Sequence, residues 1–317
     1  MKILVTGASG FVGQHLVKAL KRQSLFVAGV GRNLVESNAD IFYVVTDFTN
    51  NKAWQEPLKN CAVVVHLAAR VHVMVDKSIN PMAEFREVNT EGTLNLAKQA
   101  AAAGVRRFIF ISSIKVNGEL TVINKQFTAE DTANPTDAYG ISKFEAEQGL
   151  LNIAQLTSME VVIIRPTLVY GAGVKANFSS MMLAIQRGIP MPLGAIHNKR
   201  SFVYVGNLVD LIIRCIDHPA AANQVFLVSD GQDLSTTELL HSSATALGVK
   251  PRLLPVPQKL VEVCAIFFGK RALLQRLCGN LQVDMTKTQD FLGWQPPFSV
   301  DEGLRATAQE FIVTGQK

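Results

Sequence analysis

Tyr139 and Lys143 stand four residues apart in Tyr139-Gly140-Ile141-Ser142-Lys143, a spacing that puts a phenol and an ammonium on one face at the start of a helix. A cation beside a phenol favours the phenolate. The pair therefore predicts a tyrosine of lowered pKa that exchanges a proton with a carbinol near neutral pH. Tyrosine and lysine also fall at this spacing by chance, and Ser112-Ser113 supply the added weight. They end an apolar run that reads as a buried strand, and the carboxyl end of such a strand is where a hydroxyl can hydrogen-bond the same substrate oxygen.

A second group of residues reads as a dinucleotide site. The run Lys2 to Thr6 leads straight into Gly7-Ala8-Ser9-Gly10-Phe11-Val12-Gly13 and then an amphipathic helix. Gly7 allows the tight turn, Gly10 lets backbone approach a pyrophosphate, and Gly13 lets the helix pack closely on the sheet. The free N–H groups at the helix start then face the phosphates.

The second strand ends in Gly31-Arg32-Asn33, where NAD-binding folds usually carry an acid for the ribose 2′-hydroxyl. A missing carboxylate and the presence of Arg32 favour NADP over NAD, against the alternative that Arg32 is a solvated loop residue. Asp47-Phe48 offers an acceptor for the adenine amino group and a ring to pack against it, or else a plain turn. His66-Leu67-Ala68-Ala69 ends the fourth strand with small residues that leave room for the cofactor backbone.

These residues need a frame to hold them. Continuous apolar runs at Lys2 to Thr6, Phe26 to Val30, Phe42 to Val45, Ala62 to Leu67, Phe108 to Ser112 and Val161 to Arg165 read as strands buried on both faces. Helical patterns at Val12 to Arg22, Glu84 to Ala103 and Ser142 to Ala154 alternate with them. The class predicted is α/β, a Rossmann-type doubly wound parallel sheet over residues 1–170. Residues 171–317, broken by Gly171, Gly173, Gly188, Pro190, Pro192, Gly194 and Pro219, read mainly as a smaller substrate lobe with strands that can return to the sheet.

Composition excludes several other classes. The chain has 317 residues, 48% hydrophobic and 18% charged, enough for a large core without disulfides. Its net charge of +5 is spread without a dense basic arm, which argues against nucleic acid as a partner. Cys61, Cys215, Cys264 and Cys278 lie far apart and histidine is sparse, so no metal set is expected and the thiols read as free in a reducing, cytoplasmic setting. Met1 to Gly10 lacks the order of a signal peptide. Leu253 to Phe268 is too short and too polar for a membrane span, leaving an amphipathic helix at Gln258 to Phe268 that covers a core or a partner, with a peripheral membrane contact as the less favoured alternative.

Taken in order, TGASGFVG, HLAA, Asn89 in VNTEGTLNLA, ISSIKVNGE, YGISK, IRPTLVYG and RSFVYVGNLVD resemble the extended short-chain dehydrogenase/reductase family, and within it the sugar-nucleotide epimerase/dehydratase group, from Met1 to about Leu304. The resemblance implies that Tyr139 is the general acid/base, that Lys143 lowers its pKa and binds the nicotinamide ribose, and that Ser113 positions the reacting hydroxyl. It places Asn89 behind the lysine as a hydrogen-bond partner, and Pro166, Thr167 and Leu168 along the nicotinamide. Arg200 and Asn177 correspond to diphosphate-binding positions, and Asp284 to one near the nucleotide ribose. The sequence departs from the pattern at Asn117-Gly118, where relatives carry Tyr-Gly.

The expected reaction is 4-epimerisation of a UDP-linked hexose or N-acetylhexosamine through a 4-keto sugar, with a homodimer formed through the Glu84 to Ala103 and Ser142 to Ala154 helices. Two alternatives stand beside it. One is an NADPH-dependent reductase of a UDP- or dTDP-4-keto-6-deoxy sugar for surface polysaccharide. The other is a non-enzymatic NAD(P)-binding sensor, which retention of Ser113, Tyr139 and Lys143 disfavours.

Overall fold

In a computed structural model of the chain, described for residues 1–71, 80–174, 177–267, 269 and 271–315, nine strands are found: β1 (Lys2–Thr6), β2 (Phe26–Gly31), β3 (Ile41–Val44), β4 (Cys61–His66), β5 (Arg107–Ile111), β6 (Glu160–Pro166), β7 (Leu168–Tyr170), β8 (Phe202–Tyr204) and β9 (Gln224–Val228). Seven of them form one sheet in the order β3-β2-β1-β4-β5-β6-β9, parallel throughout. Strand order reverses direction at β1, which puts a crevice beyond the carboxyl ends of β1 and β4, where ligands settle in open α/β sheets.

The inner strands are buried on both faces because helices cover both, whereas β3 at the sheet edge is half-exposed. On one side Ile3, Val5, Val63, Val65, Ile109 and Val162 pack with helices Phe11–Arg22 and Val205–Asp217. On the other, Leu4, Val64, Phe108, Phe110 and Ile163 pack with Leu96, Ala97, Ala146 and Leu150 from helices Gly92–Ala102 and Ala138–Leu156. Continuous Val/Ile/Leu runs follow from this double cover.

The chain beyond residue 170 does not form a separate layer. β9 returns to the sheet edge beside β6, and the Val205–Asp217 helix lies against Phe11–Arg22. β7 and β8 pair as a small parallel sheet above a third core of Tyr170, Phe178, Met182, Leu239, Leu240 and Leu304. Isolated bridges Arg200 to Leu234 and Leu281 hold this lobe together, and Phe127 to Val283 joins it to the loop after β5.

The helix expected over Glu84 to Ala103 is three pieces: Pro81–Phe85, a π-helical stretch Arg86–Glu91, and Gly92–Ala102. The wide turn is built around Asn89, which is fully buried. Among the described residues no helix is long and apolar enough to cross a membrane, no group of three or more His, Cys, Asp or Glu could hold a metal ion, and the four cysteines are free.

Candidate functional site

The carboxyl end of β1 delivers the chain to Gly7 with φ +67°, a conformation that costs an L side chain and suits glycine. A Cβ on Gly13 would lie 2.1 Å from the Gly7 carbonyl oxygen and 2.8 Å from Ala8 Cα, so the helix touches the turn backbone to backbone. Gly10 is the extended N-cap, with no side-chain cap and no acidic residue in the first helical turn. The first N–H groups of that helix, behind Phe11 and Val12, are therefore left for an anion.

The floor of the crevice is set by a histidine. His66, at the end of β4, shares hydrogen bonds with Thr6 Oγ1 (2.6 Å) and Thr93 Oγ1 (2.9 Å), and Thr6 Oγ1 also accepts from the Ala68 N–H. Burial and the Lys143 ammonium lower the His66 pKa to about 3, so the ring is neutral and serves as a strut between two threonines. Leu67, Ala68 and Ala69 follow it, half-buried at the crevice.

Ser113 follows β5 and caps a short turn, its Oγ accepting from the Lys115 N–H. Tyr139 opens the Ala138–Leu156 helix, whose N-cap Asp137 accepts from the Gly140 N–H at 2.7 Å. The Ser113 hydroxyl lies on the phenol side and favours its ionised form, and the Tyr139 ring meets Phe85 edge-on. One turn on, Lys143 is buried with its ammonium 4.1 Å from the centre of the Phe110 ring.

The titration of this pair differs from the sequence expectation. Burial, with the Asp137 carboxylate adding to it and the Ser113 hydrogen bond opposing, raises Tyr139 to about 12. Burial also pulls Lys143 itself down to about 7, against the partial opposition of Glu147, because a lysine enclosed by apolar walls loses its hydration. Lys115 pairs with Asp137, so the nearest fixed carboxylate is partly neutralised.

Asn89 lies where the π-helical turn directs it. Its amide donates to Ser142 Oγ and to the Arg70 carbonyl, both at 3.0 Å, and its oxygen accepts from the Arg70 N–H. Its partners are thus Ser142 and the segment after Ala69, not the Lys143 ammonium that was expected. Ser142 passes the constraint on by donating to the Tyr139 carbonyl.

Behind the pair sits a buried network absent from the sequence reading. Arg165 of β6 forms a two-pronged ion pair with Glu147, at 3.0 and 2.6 Å, and donates to Asn117 Oδ1 at 2.9 Å. Asn117 in turn donates to the Thr128 carbonyl. The residue at the departure from the Tyr-Gly pattern is therefore a brace between β6, the Tyr139 helix and the loop after Ser113. The available signal was Glu147 at i+4 from Lys143, on the same helix face.

The remaining expected contacts divide. Ser112 is buried and its Oγ has no hydrogen-bond partner among the described residues, an unmet polar atom at the sheet's carboxyl edge that a bound polar group would complete. Leu168 is 55% exposed there, whereas Pro166 and Thr167 are buried, with the Thr167 hydroxyl on the Val228 carbonyl. Asp47 forms a turn with the Thr49 N–H and hydroxyl, which hold its carboxyl below the usual range. The Phe48 ring packs inward against Trp54 and His66. Arg32 is exposed, while the loop after it brings Glu36 and Ser37 to a cavity of about 160 Å³ shared with Ala8 and Ser9.

On the lobe side, the Arg200 backbone pairs with Leu234 and its guanidinium donates to the Gly279 carbonyl at 3.0 Å. Burial lowers its pKa, and no carboxylate pairs with it among the described residues. A cation so placed is completed by an anion. Asp284 uses its carboxylate to accept from the Thr286 N–H at the start of helix Thr286–Leu292. The Asn177 side chain lies outside the described residues.

A glycine turn at the head of a seven-stranded parallel sheet, with serine, tyrosine and lysine gathered beyond β5, defines a nicotinamide-dinucleotide enzyme of the short-chain type. Residues 3–229 match the NAD dependent epimerase/dehydratase family model. The chain belongs to that family. It is 53% identical to a UDP-glucose 4-epimerase of Vibrio cholerae over 98% of this chain and 95% of that protein. It is 29% identical to the N-acetyl-alpha-D-glucosaminyl-diphospho-ditrans,octacis-undecaprenol 4-epimerase of Escherichia coli O157:H7, over 99% of this chain and 96% of that one. Among solved structures, the UDP-glucose 4-epimerase of Thermotoga maritima with UDP-glucose superposes with a TM-score of 0.79 at 25% identity, covering 99% of both chains.

Proposed function

We propose that the protein interconverts the C4 epimers of a UDP-linked hexose, with NAD as its resident cofactor. The observation that carries the reading is Ser113 capping the turn after β5 and acting on the Tyr139 phenol beyond the sheet, with Lys143 buried one turn behind it. The 53% identity to a UDP-glucose 4-epimerase over nearly the whole chain supports the substrate.

The chain's residues fit the cofactor. Gly7, Gly10, Gly13 and the uncapped helix start would hold the pyrophosphate, Glu36 would face the adenosine ribose, and Ser112, Lys143 and Leu168 would adjoin the nicotinamide half. Bound there, NAD supplies the acceptor and later the donor of the hydride exchanged at C4, on either face of the sugar. Ser113 and Tyr139 hold the C4 hydroxyl, and Tyr139 takes its proton and returns it to the 4-keto oxygen. Lys143, poised near pH 7, gains its full charge beside an anionic ligand and then favours the phenolate. Arg200 neutralises the UDP diphosphate from the lobe.

The reading includes a cytoplasmic site of action and a homodimer through the Gly92–Ala102 and Ala138–Leu156 helices, which sedimentation velocity tests. The competing reading, an NADPH-dependent 4-keto reductase, is favoured by Arg32 alone, and the exposure of that side chain, while Glu36 lines the cavity by Ala8 and Ser9, weakens it. The deciding experiment denatures the purified protein, identifies released nicotinamide by mass spectrometry, and follows UDP-galactose to UDP-glucose conversion by NMR. Retained NAD with turnover is expected. No turnover of any UDP-hexose or UDP-N-acetylhexosamine by NAD-loaded protein would refute the reading, and an empty site preferring NADPH would select the reductase.

A further inference from the structure

The segment from Lys250 to Arg276 lies outside every role assigned above. It contains six Lys or Arg residues against one acid, Glu262, a net of +5. That equals the formal net charge of the entire chain, so the rest of the sequence is balanced. Basic residues are scattered along the whole chain, but elsewhere acids balance them and the net excess falls in this segment.

Within that segment, helix Gln258–Phe267 turns apolar side chains outward. Leu260 is 54% exposed, Val263 63%, Ile266 47% and Phe267 84%, with Leu254 at 50% just ahead. Leu260, Val263 and Phe267 recur at i, i+3 and i+7 and make one stripe. Lys259 lies on the helix itself and is exposed, Lys250 and Arg252 are exposed in the stretch leading to it, and Glu262 is engaged by the Gln258 amide at 2.8 Å. A helix covering its own core would hide this stripe.

Arg200 reaches the Gly279 carbonyl just past the second helix of the segment, Arg271–Cys278, and the Thr121 N–H donates to the Asn280 carbonyl. Leu120, against Gly279, and Val122 and Ile123 of that loop are 41%, 66% and 77% exposed near the end of the segment.

A twofold contact between copies would set this excess of like charge against itself. An apolar stripe flanked by cations is instead what an anionic lipid surface recognises, the apolar groups entering the headgroup boundary and the cations lying over phosphates. We propose that helix Gln258–Phe267 and its basic flanks seat this protein peripherally on an anionic phospholipid bilayer. Leu260, Val263 and Phe267 insert, and Lys250, Arg252 and Lys259 meet the headgroups. The proposal is independent of the substrate, since it concerns a face that the chemistry does not use.

The test is co-sedimentation of the full-length, cofactor-loaded protein with phosphatidylcholine vesicles, with and without phosphatidylglycerol. Each basic residue near an anionic surface contributes about fivefold, so three of them predict a preference for the anionic vesicles of about a hundredfold, most of it lost in high salt. The Leu260→Ser/Val263→Ser/Phe267→Ser variant should bind these vesicles at least about tenfold more weakly. Its turnover in solution should remain that of the parent, which separates loss of docking from loss of fold. Equal binding to both vesicle types, or undiminished binding by the variant, overturns the proposal. So does a parent that ignores vesicles while the variant passes from dimer to monomer in sedimentation, which would make this face a contact between copies.

Discussion

Replacing Lys143 with methionine separates what this side chain costs the fold from what it does at the site. Lys143 is 1% exposed and burial lowers its pKa from 10.5 to about 7. The unfolded chain therefore takes up a proton as pH falls below about 10.5, while the folded chain does not until about 7. Folded protein is penalised progressively between these two values, and below pH 7 the penalty is constant. At 1.36 kcal/mol per pKa unit the cost is about 4 kcal/mol at pH 7 and about 1 kcal/mol at pH 10. Methionine keeps the apolar stem against Phe110 without the charge. Urea unfolding of cofactor-stripped Lys143→Met should thus show a gain of a few kcal/mol at pH 7 that shrinks by about 3 kcal/mol at pH 10, together with loss of turnover. A variant less stable than the parent at pH 7, or a gain that is the same at both pH values, would refute the reasoning.

Other expected outcomes follow from the same geometry. Tyr139→Phe should lower kcat for UDP-galactose by at least about a hundredfold with little change in KM, measured by NMR of the sugar nucleotides. Glu147→Gln leaves the buried Arg165 charge without its carboxylate, and chemical denaturation should register a loss of about 3–5 kcal/mol. Arg200→Ala should raise KM for the UDP-sugar more than it lowers kcat, because it removes a cation that binds the diphosphate in ground and transition states alike. Gly13→Ala, whose Cβ would strike the Gly7 carbonyl at 2.1 Å, should abolish retention of the dinucleotide, read by absorbance of the released cofactor.

Much of the frame was legible from local chemistry. β1 falls at Lys2–Thr6 as read, and β2, β4, β5 and β6 lie within a residue of their apolar runs, since a strand buried on both faces must be apolar at every position. The glycine turn was equally plain, because spacing and strand–helix context are properties of a dozen consecutive residues. Tyr139 and Lys143 were visible as one turn of one helix. Harder to see were β7 and β8, at three residues each, and β9, whose place beside β6 depends on a crossover through the whole second half of the chain.

The identity of the ionisable groups was thus determined by sequence, and their states by packing. Nothing in the order of residues says that Lys143 lies over Phe110, that Asp137 raises the phenol's pKa, or that Asn89 spends its amide on Ser142 and Arg70. Desolvation is a property of what surrounds a group, and those surroundings come from segments 19 to 60 residues away in the chain. The same holds for Asn117, which a pattern comparison marks as a departure and the fold turns into a brace for Arg165. Residue types and short spacings determined which chemistry was available to this protein. Only the tertiary structure decided which charges are buried, which are paired and which face a ligand, because those energies depend on distance and dielectric and not on sequence separation.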